Sequence, residues 1–356
     1  MAYFEILIPY WSKETMAIMF TLSQKGALVL PPFPSPHAIS WIFWLAKEQA
    51  TMNLILGIDG GGTHTRASIV QGEQILAHAE SGSIKRLRVG AEAAEANMRA
   101  LLKEAFSRAG VKGVRAACVG VASASMPGVT EWITTVFNDF GVERSEVVGD
   151  EVIALDAAFR GGPGILQIAG TGSNTVGRSP DGSRESAGGW SSRLGDEGSG
   201  YWIGVNSIRR ALHAYDREQP TKILQKVGEI WGTPRLDDLI NVGDSTPGPD
   251  FAALAPAINE LADAGDPVAR ETLAQAAADL VDFVLLVRAK LRRKHAIAGE
   301  VPVAWTGGVI EHMTLVREAF FAGLKAAAPE MPVKREEVVS LEGALWRAQR
   351  LADIPA

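Results

Sequence analysis

The segment Leu56-Gly57-Ile58-Asp59-Gly60-Gly61-Gly62-Thr63-His64-Thr65 decides the fold, because an apolar run stops there at three consecutive glycines. The pattern predicts a strand over residues 54–58 before the glycines and a second strand over 66–70 after them. A third strand is predicted over 74–79, beyond a short polar turn. The glycines therefore lie in a hairpin turn and not at a junction between a strand and a helix.

A second segment repeats this pattern 110 residues later, as Leu166-Gln167-Ile168-Ala169-Gly170-Thr171-Gly172-Ser173-Asn174-Thr175. Five of the ten positions are identical, and Thr63 is matched by another hydroxyl, Ser173. The second copy also runs on to a strong turn signal, Ser179-Pro180-Asp181-Gly182. Chance similarity between two glycine turns is the alternative, but an internal repeat predicts two related domains, each beginning with a glycine-bearing hairpin.

The remaining pattern alternates helices with strands and predicts an α/β protein. Apolar residues at helical spacing predict helices over 94–106, 130–140, 273–291 and 341–352. Short apolar runs predict strands over 114–121, 146–149 and 302–306. The domains expected are 52–155, joined by the C-terminal helix 341–356, and 156–340.

Residues 1–51 differ from the rest of the chain. They hold three of the nine tryptophans and the run Pro31-Pro32-Phe33-Pro34-Ser35-Pro36, which suits neither a helix nor a central strand. One interpretation is an arm that binds a membrane or a partner. The favoured one is that 1–51 is an atypical extension and that synthesis begins at Met52, because regular strand patterning starts directly after it.

The composition excludes several classes of protein. With 35 basic and 41 acidic residues among 356, the net charge is −6, which disfavours a nucleic-acid binder. The single cysteine, Cys118, rules out an intrachain disulfide framework and is typical of a cytoplasmic protein. The apolar runs are shorter than the ~18 residues that a membrane-spanning helix needs, so neither a membrane nor a nucleic acid is an expected partner.

The two glycine turns are suited to binding phosphate, because consecutive glycines expose backbone N–H groups with no Cβ in the way. Two such turns could hold the two ends of a triphosphate. Asp59, at the first turn, would then hold Mg²⁺, directly or through water. Neither a Walker A sequence nor a dinucleotide-binding G-x-G-x-x-G is present.

Two further sites carry candidate chemistry. Asp150 follows the strand Val147-Val148-Gly149, where a carboxylate could accept a proton from an attacking hydroxyl or could merely cap the next helix. The glycine-rich segment from Gly188 to Gly200 contains Trp190 and Asp196. A ring that stacks on a sugar and a carboxylate that accepts from its hydroxyls would suit a polyol, whereas the alternative is a long mobile loop.

These motifs resemble a known family over residues 52–351. Gly188-Gly189-Trp190 followed by Gly195-Asp196-Glu197-Gly198-Ser199 is similar to the signature of the BadF/BadG/BcrA/BcrD ATPases, whose kinase branch includes N-acetylglucosamine and glucosamine kinases. Five segments resemble the nucleotide-site segments of the wider actin, sugar kinase and heat-shock chaperone superfamily: Leu56–Thr65, Val147–Asp150, Ile168–Ser173, Trp305–Val309 and Leu341–Leu345.

The resemblance implies two ribonuclease-H-like (actin-like ATPase) domains with mixed sheets, on either side of a cleft for ATP, Mg²⁺ and an amino sugar. It also implies a homodimer and makes Asp150 the general base. The ATP-binding residues that the glycine turns and the resemblance give are Asp59, Gly60, Gly61, Gly62, Thr63, Gly170, Thr171, Gly172, Gly307 and Gly308. The sugar-binding residues implied are Asp150, Ser173, Asn174, Gly189, Trp190, Ser191 and Asp196.

The sequence departs from the amino-sugar kinases at Lys85, which stands roughly where they carry an asparagine that contacts the sugar. One interpretation is a changed substrate, such as N-acetylmuramic acid, whose carboxylate would pair with Lys85, Arg86 or Arg88. The other is a solvated basic loop.

Three functions remain in competition. The first is an ATP-dependent amino-sugar kinase. The second is an ATPase that activates a radical dehydratase, which needs four cysteine ligands per dimer for its iron–sulfur cluster, whereas Cys118 would supply two. The third is a non-catalytic sensor of sugar or nucleotide, for which no sequence feature argues.

Overall fold

The computed structural model describes residues 54–354, which form two mixed β-sheets with helices packed against them. The strands in this part of the chain are β1 (Leu54–Gly60), β2 (His64–Gln71), β3 (Gln74–Gly82), β4 (Val114–Val121), β5 (Val142–Val148), β6 (Gly164–Ala169), β7 (Ser173–Arg178), β8 (Arg184–Gly188) and β9 (Val303–Thr306).

A short 3-10 helix lies at Phe251–Leu254, and the remaining helices of the described residues are α-helical. They are α1 (Arg86–Val89), α2 (Ala91–Ala109), α3 (Val129–Asp139), α4 (Asp150–Phe159), α5 (Gly200–Asp216), α6 (Ile223–Trp231), α7 (Leu236–Gly243), α8 (Ala255–Asp263), α9 (Pro267–His295), α10 (Gly308–His312), α11 (Thr314–Ala327) and α12 (Ser340–Ala352).

The first sheet has the order β3-β2-β1-β4-β5, with β1, β4 and β5 parallel. Asp59 of β1 is in register with Gly120 of β4, which is in register with Val148 of β5. The carboxyl ends of the three strands therefore meet at one edge. Asp59 and the segment leading to Asp150 lie there with one strand between them, about 10 Å apart at the ordinary strand spacing.

The second sheet repeats this arrangement in the order β8-β7-β6-β9, where β6 is antiparallel to β7 and parallel to β9. The predicted duplication is thus confirmed in its topology. The two hairpins close differently, however. Gly60 pairs with Thr65 in the first and Ala169 with Ser173 in the second, so four residues lie between the last paired positions of the first hairpin and three between those of the second.

The helical faces predicted from the spacing of apolar residues are buried. In α2 the buried residues are Ala94, Met98, Leu101, Leu102, Ala105 and Phe106, and in α9 they include Leu273, Ala277, Leu280, Val284, Val287 and Leu291. The two helices contribute to separate apolar cores. Asp266 begins α9 by accepting hydrogen bonds from the backbone N–H groups of Val268 and Ala269, each at 3.0 Å.

Helix α4, whose first residue is Asp150, packs closely against β4 and α12 because glycines face it from both sides. A side chain at Gly120 of β4 would collide with Ile153 of α4, and a side chain at Gly343 of α12 would collide with the carbonyl group of Ile153. The helix is therefore held tightly against the first sheet, and this packing fixes where Asp150 projects.

The structure corrects the sequence predictions at two places and leaves others untouched. Strand β5 extends over Val142–Val148, beyond the short strand expected, and the predicted basic loop is interrupted by helix α1 at Arg86–Val89. The predictions for residues 1–51 lie outside the described residues, and the domain boundaries stay a prediction.

Candidate active site

The first glycine turn lies at the edge where the parallel strands of the first sheet end. A Cβ at Gly60 would lie 2.8 Å from the carbonyl oxygen of Gly120, so glycine is required there for the strands to approach. The turn is fixed from the other side by the hydroxyl of Ser83, which donates to the carbonyl oxygen of Gly61 at 3.2 Å. Gly62 and Thr63, by contrast, face open solvent, where the backbone is accessible to a ligand.

Asp59 and Asp150 are the two carboxylates at this edge. Burial raises the pKa of Asp59, and the positive charge of Arg66 partly offsets that effect. Burial also raises the pKa of Asp150, to about 7, with further contributions from Glu151 and from the negative charge of Asp59. The negative charge of Asp59 thus adds to the effects of burial and of Glu151 in favouring the protonated form of Asp150.

The structure decides against the alternative of Asp150 as a helix cap. The cap of α4 is Gly149, and Asp150 is the first helical residue. One oxygen of Asp150 accepts a hydrogen bond from the N–H of Glu151 at 3.0 Å. Glu151 itself lies 3.6 Å from the guanidinium group of Arg184, on β8 of the second sheet. A carboxylate with a pKa near 7 has the proton affinity of an effective general base.

The second glycine turn is tied to the N-terminus of α5. The carbonyl oxygen of Gly170 accepts from the N–H of Gly200 at 2.8 Å, and that of Thr171 accepts from Tyr201 at 3.2 Å. Gly307 packs directly on this turn, since a Cβ there would lie 2.6 Å from the carbonyl oxygen of Ala169. The structure therefore brings together Gly170, Thr171, Gly172, Gly307 and Gly308, which the sequence had assigned to ATP.

Asp196 lies beside the second turn and is 7% exposed. Its carboxylate accepts from the N–H of Ser191 at 3.3 Å, and a Cβ at Gly172 would lie 2.6 Å from its second oxygen. Ser191 adopts a φ of +111°, a left-handed conformation that is strained for a residue with a side chain. Such strain at a glycine-rich loop is a common property of ligand-binding sites.

Other residues expected to bind sugar lie in the same region. The hydroxyl of Ser173 donates to the carbonyl oxygen of Glu197 at 2.7 Å. Gly189, with a φ of +71°, touches Asn174, because a Cβ there would approach the amide of that side chain to 3.0 Å. The ring of Trp190 is 77% exposed, so its face is free to contact a ligand.

The basic segment reaches toward the second sheet. Arg86 lies over the ring of Trp132, 5.1 Å from its centre, and Arg88 lies 3.9 Å from a carboxylate oxygen of Asp250. The pKa of Asp196 is raised mainly by burial, and the positive charge of Lys85 is among the influences that lower it. Lys85 therefore faces the same region as Asp196, while Arg86 and Arg88 are engaged elsewhere.

A family model described as the BadF/BadG/BcrA/BcrD ATPase family matches residues 56–345.
The chain belongs to the BadF/BadG/BcrA/BcrD ATPase family. This confirms the resemblance inferred from the glycine-rich segments. Because the family is one of ATPases, the nucleotide that the chain uses is ATP.

Several members of known name are similar to this chain. The N-acetylmuramic acid/N-acetylglucosamine kinase of Clostridium acetobutylicum is 29% identical over 311 residues, which cover 85% of this chain and all of that one. The N-acetyl-D-glucosamine kinase of Dictyostelium discoideum is 29% identical over 74% of this chain and 88% of its own length.

Solved structures share the fold. One described as an N-acetylglucosamine kinase from Chromobacterium violaceum has a TM-score of 0.64 and 28% identity and covers 83% of this chain and 98% of that one. The glucokinase of the ROK family from Streptomyces griseus, at 16% identity and a TM-score of 0.53, covers 84% and 99%. The predicted α/β fold of the actin-like ATPase and sugar kinase type is confirmed.

The acidic side chains near the first turn would suit a magnesium ion that is held mainly by water and by substrate phosphates. Among the residues that the structure describes, no group of three histidine, cysteine or acidic side chains could enclose a metal. Mg²⁺ commonly keeps several waters and takes one or two carboxylates together with substrate phosphates. Asp59, a half-buried carboxylate beside the first turn, matches that requirement.

The sequence did not reveal an ionic cluster behind the site. Asp156 of α4 is fully buried and accepts from Arg178 of β7 at 2.6 Å and from Arg347 of α12 at 2.5 Å. Arg347 also binds both carboxylate oxygens of Glu146. The available signal was an acidic residue within the apolar face of a helix, but the sequence could not indicate which arginines meet it.

None of the helices between residues 54 and 354 combines the length and the apolar character that crossing a bilayer requires.

Proposed function

We propose that this chain is an ATP-dependent kinase that transfers the γ-phosphoryl group to a hydroxyl of an amino sugar of the N-acetylglucosamine, glucosamine or N-acetylmuramic acid type. The observation that carries the proposal is a half-buried carboxylate, Asp150, with a pKa raised to about 7, on the sheet edge where the first glycine turn lies. The named activities of the relatives support the same reaction class.

In this mechanism Asp150 accepts the proton of the sugar hydroxyl. The oxygen forms a bond to the γ-phosphorus while the bond between that phosphorus and the β–γ bridging oxygen breaks, and ADP leaves. Because Asp150 is partly withdrawn from water and feels the negative charges of Glu151 and Asp59, its ionised form is costly, and taking up a proton relieves that cost. The base is thus active when it is deprotonated.

Phosphate binding falls to the two turns. Backbone N–H groups of Gly60–Gly62 and of Thr171 and Gly172, with the hydroxyls of Thr63 and Thr171, would donate to phosphate oxygens, and Gly307 and Gly308 would lie near the adenosine. The N–H of Gly170 donates to the carbonyl oxygen of Gly172 at 2.9 Å, so Gly170 would shape the turn instead. Asp59 would hold Mg²⁺ through water. When bound, the ion neutralises phosphate charge that develops during transfer.

Sugar binding falls to the segment around Asp196. The carboxylate would accept from sugar hydroxyls, the exposed face of Trp190 would stack on the ring, and Gly189, Ser191, Ser173 and Asn174 would complete the site. A homodimer, a cytoplasmic location and the domains 52–155 and 156–340 belong to the same proposal.

The dehydratase-activator alternative lacks support. Cys118 is the only cysteine in the sequence and is buried inside β4. Burial, with the nearby charge of Glu146, raises the pKa of its thiol to about 12. A thiol so reluctant to ionise is a poor cluster ligand. The sensor alternative has no observation in its favour.

A coupled assay of ADP formation tests the proposal with glucosamine, N-acetylglucosamine, N-acetylmuramic acid and glucose as acceptors. We expect ADP release that depends on an amino sugar. The substitution Asp150→Asn should lower kcat about 10²- to 10⁴-fold, because a general base is lost. Asp139→Asn, which removes an exposed partner of Arg99, serves as the matched control. Turnover at the normal rate in Asp150→Asn would show that the base is misassigned.

A further inference from the structure

A cavity of about 400 Å³ adjoins Asp196 on the side facing α5. It runs between the loop 192–197 and the first turns of α5, and its walls include the rings of Tyr201 and Trp202. This volume lies within the usual range of small-molecule sites. Because Asp196 belongs both to this lining and to the proposed sugar site, a sugar held at that carboxylate would lie next to this space.

Two arginines line the cavity and have no partner in the part of the chain that the structure describes. Among residues 54–354, neither Arg193 nor Arg209 makes an ion pair or a side-chain hydrogen bond. Arg210, the next residue on the same helix, pairs with Glu271 at 2.5 Å. Glu197 also lines the cavity but is not within 4.0 Å of either guanidinium group. The cavity therefore offers two guanidinium groups that are free to bind an anion.

Lys85 adds a third positive charge from the direction of the first sheet. Its charge reaches Asp196, and its ammonium group forms no ion pair within the described residues. Asp196 is already engaged by Ser191 and Ser192. In the lining the two arginines balance the two carboxylates Asp196 and Glu197, so the charge of Lys85 is what turns this region toward an acidic ligand rather than a neutral one.

We propose that this cavity receives an anionic substituent, a carboxylate or a phosphate, of the amino sugar, and that Arg193 and Arg209 bind it. The inference rests on the proposed kinase function. It assigns to this chain a preference for acidic amino sugars, and it assigns that preference to residues outside the phosphoryl-transfer site. Planar guanidinium groups suit both anions, since each presents paired oxygens.

The test compares kcat/KM for N-acetylmuramic acid, which carries a carboxylate, with kcat/KM for neutral N-acetylglucosamine. The ratio of kcat/KM for N-acetylmuramic acid to kcat/KM for N-acetylglucosamine should fall about tenfold in Arg193→Gln and about tenfold in Arg209→Gln. A tenfold change corresponds to ~1.4 kcal/mol, which is typical of one charged hydrogen bond. Both side chains are exposed, so the variants should fold. Arg210→Gln, on the same helix but outside the cavity, controls for the loss of one positive charge.

A second arm identifies the anion. N-acetylglucosamine 6-phosphate is used as a competitor of N-acetylglucosamine phosphorylation in the parent protein and in the double variant. Weaker inhibition in the double variant with an unchanged acceptor ratio assigns the cavity to phosphate, whereas a lower acceptor ratio assigns it to a carboxylate. If neither changes, or if Arg210→Gln lowers the ratio equally, the inference is wrong. If the parent phosphorylates no amino sugar, the kinase proposal fails instead.

Discussion

The two glycine turns have the same position in duplicated hairpins, yet they differ in chemistry. The first carries Asp59 in the strand before the glycines, and the second carries Ala169 at the matched position, fully buried. The first is held by one side-chain hydrogen bond from Ser83, whereas backbone hydrogen bonds tie the second to the start of α5. Duplication therefore preserved the backbone turn while the side chains around it diverged.

This difference separates two tasks. Carboxylates with raised pKa values, Asp59 and Asp150, gather at the edge of the first sheet, where proton transfer and metal binding are proposed. The second turn is surrounded by hydrogen-bonding and glycine contacts that include Asp196 and Gly307. The first half supplies the carboxylates proposed for proton transfer and metal binding, and the second supplies Asp196 and the glycine contacts proposed for recognition. The following experiments test that division.

The largest effect is expected from making the first turn resemble the second. Asp59→Ala removes the carboxylate assigned to Mg²⁺ and should weaken activation by the ion about 10- to 100-fold, as for other outer ligands of metals. Activity is measured as a function of Mg²⁺ concentration at saturating ATP. Glu73→Ala, at the exposed turn between β2 and β3, is the control. If the Mg²⁺ dependence does not change, Asp59 does not hold the metal.

The pH dependence of kcat/KM tests the charge assigned to the first sheet. The pKa of Asp150 is raised to about 7, and the ionised form is the base. Activity should therefore rise with pH up to about 7 and then level off, with about a tenfold loss for each unit below that value. In Glu151→Gln a negative neighbour is lost, so the pKa should fall and the acidic limb should move to lower pH. A limb that stays in place would contradict the coupling.

Smaller effects are expected from glycine-to-alanine substitutions in the two turns, which distinguish glycines needed for packing from glycines near the nucleotide. A Cβ at Gly170 would meet nothing within 4 Å, and one at Gly62 would meet only Arg88, at 3.7 Å. Gly62→Ala and Gly170→Ala should therefore keep the stability of the protein but raise KM for ATP about fivefold, by disturbing one phosphate contact. Gly60→Ala, which would clash with Gly120, should instead lower the melting temperature. If KM for ATP is unchanged in both Gly62→Ala and Gly170→Ala, the nucleotide does not bind at these turns.

The smallest effect concerns one of the ion pairs between the two halves, Arg88 with Asp250. Arg88 and Asp250 are 3.9 Å apart and both are partly exposed, so the pair is worth less than ~1 kcal/mol. Arg88→Gln should change the free energy of unfolding in urea by no more than that. A loss of several kcal/mol would mean that this contact holds the two halves together.

Most of the fold could be predicted from the periodicity of apolar residues and from the residues typical of turns. The strand 114–121 and the buried face of α2 follow from local patterns, since alternation and helical spacing do not depend on distant partners. The duplication was visible because glycine positions are constrained by the backbone. Strand β5 was underestimated because its residues Glu143, Arg144 and Glu146 are polar, and their long-range partners, not local pattern, keep them in the sheet.

Part of the candidate site follows from sequence motifs. The residues that only tertiary contacts bring together could not be named from the sequence. Gly172 and Asp196 could be named from the sequence, but that a Cβ on one would strike the other could not. Arg193 and Arg209 are ordinary exposed residues by pattern. They become candidate ligand-binding residues only in the folded chain, where both line one cavity and neither has an ion-pair partner within the described residues.

The bond between Asp156 and Arg347 has a consequence for synthesis. Helix α12 packs on β1 and β4 and neutralises a carboxylate on the helix that begins with Asp150, yet roughly 190 residues separate it from the last strand of the first sheet. At ~5–20 residues per second, a ribosome takes ~10–40 s to cover that distance. During that interval β1 and β4 lack the cover of α12, and Asp156 can pair with Arg178 but not with Arg347, so the nascent first sheet keeps an exposed apolar face of the kind that chaperones bind.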